Sequence, residues 1–152
     1  MMMPENGHRA HGFSSAFFLD SDEILRELDL EGDETFMDAG CGDGHNAIKV
    51  LEDYNHRGTV YAVDVFHGFK SSQNEVVVVE ELKRLIKGDG KIAIVDFNPI
   101  EIPHGPPMDI KSSPERLEEL FVKHGLKRIY LNDELGADYP NGKSHYMIIF
   151  KK

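Results

Sequence analysis

The spacing of apolar positions changes along the chain from helical to strand-like and back, and the changes divide it into alternating elements. Ile24, Leu25 and Leu28 share one helical face behind Asp20-Ser21-Asp22-Glu23, a capping box with Asp20 as N-cap, and Glu31-Gly32-Asp33 ends that helix. Short apolar runs predict strands over residues 35–39 and 59–65, with a helix over about 44–53 between them. Ser72 and Glu75 form a second capping box ahead of a helical stripe of Val78, Val79, Leu82, Leu85 and Ile86, which Gly88 stops. The four successive valines at 76–79 favour strand locally and work against that helix. Lys91-Ile92-Ala93-Ile94-Val95-Asp96-Phe97 has the continuous apolar character of a buried parallel strand. A proline-rich loop over 98–113 then leads to Ser113 as N-cap, Pro114 at the first helical position, and a helix through His124 that Gly125 terminates. Residues 126–131 and 144–150 read as two closing strands joined by a long, turn-rich connection around Tyr139-Pro140-Asn141-Gly142, which predicts an antiparallel edge.

The richest local chemistry lies where the first strand ends. Asp38, Ala39, Gly40, Cys41, Gly42, Asp43 and Gly44 make a turn in which three glycines let the backbone approach a bound small molecule. A dinucleotide fingerprint starting at Gly40 would need glycine where His45 stands. A pyrophosphate is also poorly served, because Asp38 and Asp43 place carboxylates where an anion would sit. Carboxylates suit a cationic ligand, and Asp64 at the end of the second strand can accept hydrogen bonds from paired hydroxyls.

Asp38 followed by Gly40, Gly42 and Gly44, with Val60-Tyr61-Ala62-Val63-Asp64 as the next strand, resembles motif I and the second acidic motif of the class I S-adenosylmethionine-dependent methyltransferases, type 11/12 among them. The resemblance implies S-adenosyl-L-methionine as cofactor, held by Asp38, Ala39, Gly40, Cys41, Gly42, Gly44, Asp64 and Val65, with the glycines along the methionine portion and Asp64 on the ribose. Phe66-His67-Gly68-Phe69, Gly88-Asp89-Gly90-Lys91, His104-Gly105-Pro106-Pro107 and the closing run 144–150 are similar to later stretches of a small-molecule subgroup. Between Asp64 and Phe66, however, stands only Val65, where family members carry two helices and strands three and four. A βαβ unit alone needs about 30 residues. That segment is missing, and with it the residues that contact adenine and help hold the acceptor.

The remaining elements predict a single methyltransferase-like domain over 1–152, with 1–15 as a flexible arm. Its fold class is α/β, a three-layer Rossmann-like doubly wound sheet contracted to about five strands in the order 2-1-3-5-4, with the last strand antiparallel and a switch point beside the glycine turn. A homodimer or strand exchange that fills the vacated position is the alternative way to complete the sheet.

Composition narrows the function. The 152 residues are 40% hydrophobic and 29% charged, with no apolar run near the length of a membrane helix, about 18 residues. The net charge is -10, and Arg26 is the only basic residue among 20–43 apart from histidine, so nucleic acid is disfavoured as a partner. Cys41 is the only cysteine, which fits a reducing cytoplasm. The eight histidines show no metal-ligand spacing, and no metal is expected. His67 and His104 follow strand ends and are the candidate catalytic residues, as imidazoles able to take a proton from an acceptor. Phe13, Phe17, Phe18 and Tyr146 are candidates for an aromatic lid.

The leading expectation is methyl transfer to a small-molecule acceptor by direct displacement. A catalytically inactive remnant that binds the cofactor as a sensor, or acts as an interaction module, stays open. So does a nucleotide-dependent oxidoreductase, against which Asp43 and His45 argue.

Overall fold

The computed structural model describes residues 18–29, 36–38, 59–63, 66–71, 73–86 and 88–152. Its centre is a five-stranded sheet formed by β1 (Phe36–Asp38), β2 (Thr59–Val63), β3 (Lys91–Phe97), β4 (Lys127–Tyr139) and β5 (Gly142–Lys151), in the order β1-β2-β3-β5-β4. β1, β2 and β3 are parallel, while β5 runs antiparallel to both β3 and β4. Helices α1 (Ser21–Glu27), α2 (Phe66–Ser71), α3 (Glu75–Leu85) and α4 (Pro114–Lys123) complete the described elements.

The pleat of β3 and β5 explains the layers. Successive residues of a strand face opposite sides, and here both sides are covered. Ala93, Val95, Phe97, Met147 and Ile149 meet Phe18, Leu19, Ile24, Leu25 and Leu28 from the α1 side. Ile92, Ile94, Tyr146, Ile148 and Phe150 meet Phe66, Val79, Leu82, Ile86, Leu117 and Phe121 from the α2, α3 and α4 side. The fold is therefore three-layered α/β with its closing strand antiparallel, as the apolar pattern predicted.

Local caps fix the helix ends. Asp20 accepts from the backbone of Asp22 at 2.9 Å, and Ser113 from that of Arg116 at 3.2 Å, each satisfying an otherwise unpaired first-turn amide. The carboxyl ends of three helices receive lysine ammoniums from distant elements. Lys91 donates to Leu28 O (2.9 Å), Lys152 to Ile86 O (2.9 Å) and Lys83 to His124 O (2.8 Å). A cation at that end satisfies stranded carbonyls and opposes the helix dipole. Arg116 grips Glu75 through both guanidinium nitrogens, at 2.9 and 3.0 Å, and so locks α4 to the start of α3.

Several expectations are corrected. The strand order is not 2-1-3-5-4: β2 lies between β1 and β3, pairing with β3 from Thr59↔Lys91 to Val63↔Val95. Parallel strands joined by one crossover usually lie side by side, and α2 and α3 supply that crossover with Phe66, Val79, Leu82 and Ile86 buried against the sheet. The strands therefore advance in one direction through β1, β2 and β3, without the expected reversal beside β1. Direct pairing of β2 with β3 also leaves no vacated position between them. The helix expected from Ser72 starts at Glu75 behind Asn74, whose side chain makes no capping bond, and Ser72 lies outside the described residues. The valines are helical because only Val79 of the four must be buried, whereas Val76 and Val77 face solvent. The long connection before β5 is strand: β4 continues to Tyr139, with register shifts and a largely exposed, charged pattern suited to an edge. The helix expected over 44–53 lies outside the described residues.

Phe121 is fully buried, stacks on Phe150 at 4.2 Å between ring centroids and touches Phe66 at 5.6 Å. Phe121→Ala is expected to cost about 3–5 kcal/mol, read as a lowered urea midpoint with little change in the slope of the transition.

Candidate functional site at the carboxyl edge of the sheet

Because β1, β2 and β3 are parallel, their carboxyl ends lie along one edge, where open α/β sheets bind ligands. The ends are staggered. Asp38, last in β1, is level with Tyr61, and Val63, last in β2, is level with Val95, so Asp96 and Phe97 carry β3 beyond its neighbour. Of the expected cofactor residues, Asp38 contributes its backbone to the end of β1. Ala39, Gly40, Cys41, Gly42, Gly44, Asp64 and Val65 lie outside the described residues, as do Phe13 and Phe17.

His67 does reach the edge, through a partner the sequence did not reveal. Asp96 is 4% exposed, and its carboxylate accepts from the backbone amide of His67 at 2.8 Å and from that of Phe97 at 2.8 Å. The same carboxylate lies 2.8 Å from His67 Nδ1. A buried carboxylate is costly unless charge-assisted hydrogen bonds replace its water, and these contacts do so. An ionised carboxylate only accepts, so it holds the hydrogen on Nδ1 and leaves the ring lone pair on Nε2. The His67 side chain is 20% exposed, against 5% for Asp96.

This contact depends on the observed strand order. Neighbouring strands are about 4.8 Å apart, so inserting β1 between β2 and β3 would move the exit of β2 a further strand's width from Asp96.

Phe97 forms the aromatic centre of the cluster. Its ring lies 5.7 Å from His67, 4.2 Å from His145 and 5.2 Å from Phe18, between centroids. Lys111 Nζ stands 5.8 Å over the same ring and donates to Ile100 O. Burial pulls the Lys111 ammonium below the usual lysine pKa, opposed by the charges of Glu101 and Asp96. Lys70 of α2 donates to Lys111 O at 2.8 Å, tying the helix that carries His67 to the loop that carries Lys111. Asn98 fastens the hairpin below by donating to Asp133 O (2.8 Å), Lys143 O (3.0 Å) and His145 O (2.7 Å). An asparagine after a strand signals a turn, but these distant acceptors have no local sequence signal.

The other candidates are placed differently. His104 is exposed in a turn closed by Gly105 N donating to Ile102 O at 3.1 Å, with φ of 66°, and does not join the Asp96 hydrogen bonds. Tyr146 is not a lid residue. It is 1% exposed in the core beneath α3 and α4, paired across the sheet with Asp96. Phe18 is likewise core, under α1. A separate open cleft of about 480 Å³ lies toward the hairpin, lined by Asn98, Ile100, Asp133, Glu134, Asp138 and Lys143 among others. Among the described residues, no group of three acidic, histidine or cysteine side chains could hold a metal ion, and no helix is long and apolar enough to cross a membrane.

No protein-family model matches the sequence, and no curated protein matches it. Solved structures do match the fold. A SAM-dependent methyltransferase from Aquifex aeolicus has a TM-score of 0.65 at 17% identity, over 87% of this chain and 89% of that one. A type 11 methyltransferase from Sulfolobus solfataricus has 0.63 at 18%, over 88% and 92%. A Burkholderia thailandensis 1,6-didemethyltoxoflavin-N1-methyltransferase, crystallised with its substrate and S-adenosylhomocysteine, has 0.55 at 15%, over 86% and 74%. The chain has the Rossmann-like fold of the class I methyltransferases.

Burial, and then the charge of Asp96, raises the Tyr146 phenol well above its ordinary pKa. The protonated phenol is retained in the folded state, while the unfolded chain ionises near pH 10. Stability linked to Tyr146 is thus intact below about pH 10 and is lost as pH rises through the raised folded value. Denaturant midpoints of the natural protein should therefore fall faster above about pH 10 than those of Tyr146→Phe.

Proposed function

We propose that the protein binds S-adenosylmethionine along the carboxyl edge of β1 and β2 and transfers the methyl group to a small-molecule acceptor near His67 and Phe97. One observation supports the reading above others: β1 and β2 are parallel neighbours, so the turn after Asp38 and the acid after Val63 both leave the same sheet edge. The donor set fits the ligand. Carboxylates at Asp38 and Asp64 complement sulfonium, ammonium and ribose hydroxyl groups, and the glycines of the turn permit close backbone approach. When bound, the cofactor supplies an electrophilic methyl group on a sulfonium. The protein's part is to align the acceptor with that methyl and exclude water. Phe97, Lys111 and His67 offer an aromatic surface, a buried cation and an imidazole for the acceptor side. A cytoplasmic location belongs to the same reading, from the single cysteine.

Calorimetric titration with S-adenosylmethionine and S-adenosylhomocysteine should give saturable binding; silence at millimolar ligand contradicts the proposal. Asp64→Ala is expected to weaken that binding roughly 10- to 100-fold, for loss of charge-assisted bonds to the ribose. Unchanged affinity would remove Asp64 from the site.

A further inference from the structure

We propose that His67 accepts a proton from an acidic hydroxyl, a phenol or enol, on the methyl acceptor, and that Asp96 positions it. The inference rests on the methyl-transfer reading and adds the substrate class. Capping the first turn of α2 requires only the bond from the His67 amide to Asp96, 2.8 Å long. The additional 2.8 Å contact at Nδ1 fixes the ring, and a carboxylate there selects the tautomer whose basic atom is Nε2. A base held this way by a buried acid is oriented for proton transfer, and the acid stabilises the imidazolium that forms.

The acceptor class follows from what needs a base. A carboxylate or thiolate has already lost its proton, and an amine can keep its proton through the attack. A hydroxyl oxygen that gains a methyl group while keeping its hydrogen becomes a strongly acidic oxonium, so its proton must leave as the bond forms. Neutral imidazole is matched in strength to a phenol or enol rather than to an aliphatic alcohol. The Phe97 ring, 5.7 Å from that of His67, gives a planar acceptor an aromatic surface, and the Lys111 ammonium favours developing negative charge on its oxygen. In the step, the acceptor O–H bond breaks and its proton passes to Nε2. The oxygen pair forms a bond to the methyl carbon, the carbon–sulfur bond breaks, and that pair stays on sulfur as a neutral thioether. The imidazolium then releases its proton to water.

Two readouts test this on the full-length protein. With S-adenosylhomocysteine present, 4-nitrophenol should show its phenolate absorption when bound at a pH below its own pKa, and His67→Gln should abolish that band. With S-adenosylmethionine and a panel of phenols, His67→Ala should lower turnover about 10²- to 10⁴-fold, added imidazole should restore part of it, and S-adenosylhomocysteine affinity should stay unchanged. Asp96→Asn should lower kcat while leaving KM for S-adenosylmethionine in place. Absence of the phenolate band in the natural protein, equal phenol turnover in His67→Gln, or methylation of amines or thiols with none of phenols would each overturn the assignment. Failure to bind S-adenosylhomocysteine at all would defeat the underlying methyl-transfer reading, a result distinct from these.

Discussion

The parallel pairing of β2 with β3 organises the molecule. It sets the exit of β2 beside the exit of β3, so that α2 begins within reach of Asp96 and the backbone and ring of His67 both close on one carboxylate. It also makes the sheet continuous from β1 to β4 within one chain. Strand adjacency is thus the source of both the sheet's integrity and the only imidazole–carboxylate pair described at its carboxyl edge.

Asp96 shows how packing and chemistry coincide. The strand around it is apolar on both faces, which is what two covering helical layers demand. A carboxylate in that setting persists because amides of His67 and Phe97 and the ring of His67 replace its hydration. Removing one of those partners would leave a buried charge short of donors, which costs more than the bond itself contributes. The arrangement is therefore rigid, and rigidity is what a proton-accepting ring beside a ligand edge requires.

Local physics was legible in the sequence and nonlocal physics was not. The helix starts at Asp20 and Ser113 were readable because a capping side chain bonds amides two or three residues away. β3 was readable from its unbroken apolar run, and the acid-and-glycine turn from backbone requirements alone. The strand order, by contrast, depends on which edges meet after collapse, and no local pattern encodes it. α2 escaped notice because it is six residues long, contains Gly68, and owes its start to an aspartate 29 positions away. The far half of β4 is polar and irregular, since an edge strand need bury little more than Leu135. Tyr146 looked like a surface aromatic among lid candidates, yet the alternation of β5 turns it into the core. His67 was picked out by its place after a strand, while Asp96, which gives it chemistry, read only as part of an apolar run.

The central claim is that the carboxyl ends of β1, β2 and β3 form one ligand edge with His67 and Asp96 on it. Backbone and histidine ring resonances followed by nuclear magnetic resonance during titration with S-adenosylhomocysteine test it most directly. The account predicts shifts that centre on residues 38–44 and 64–67 and extend to 96–98. Shifts confined to the cleft between the β3 exit and the β4–β5 hairpin, or none at saturating ligand, would contradict it.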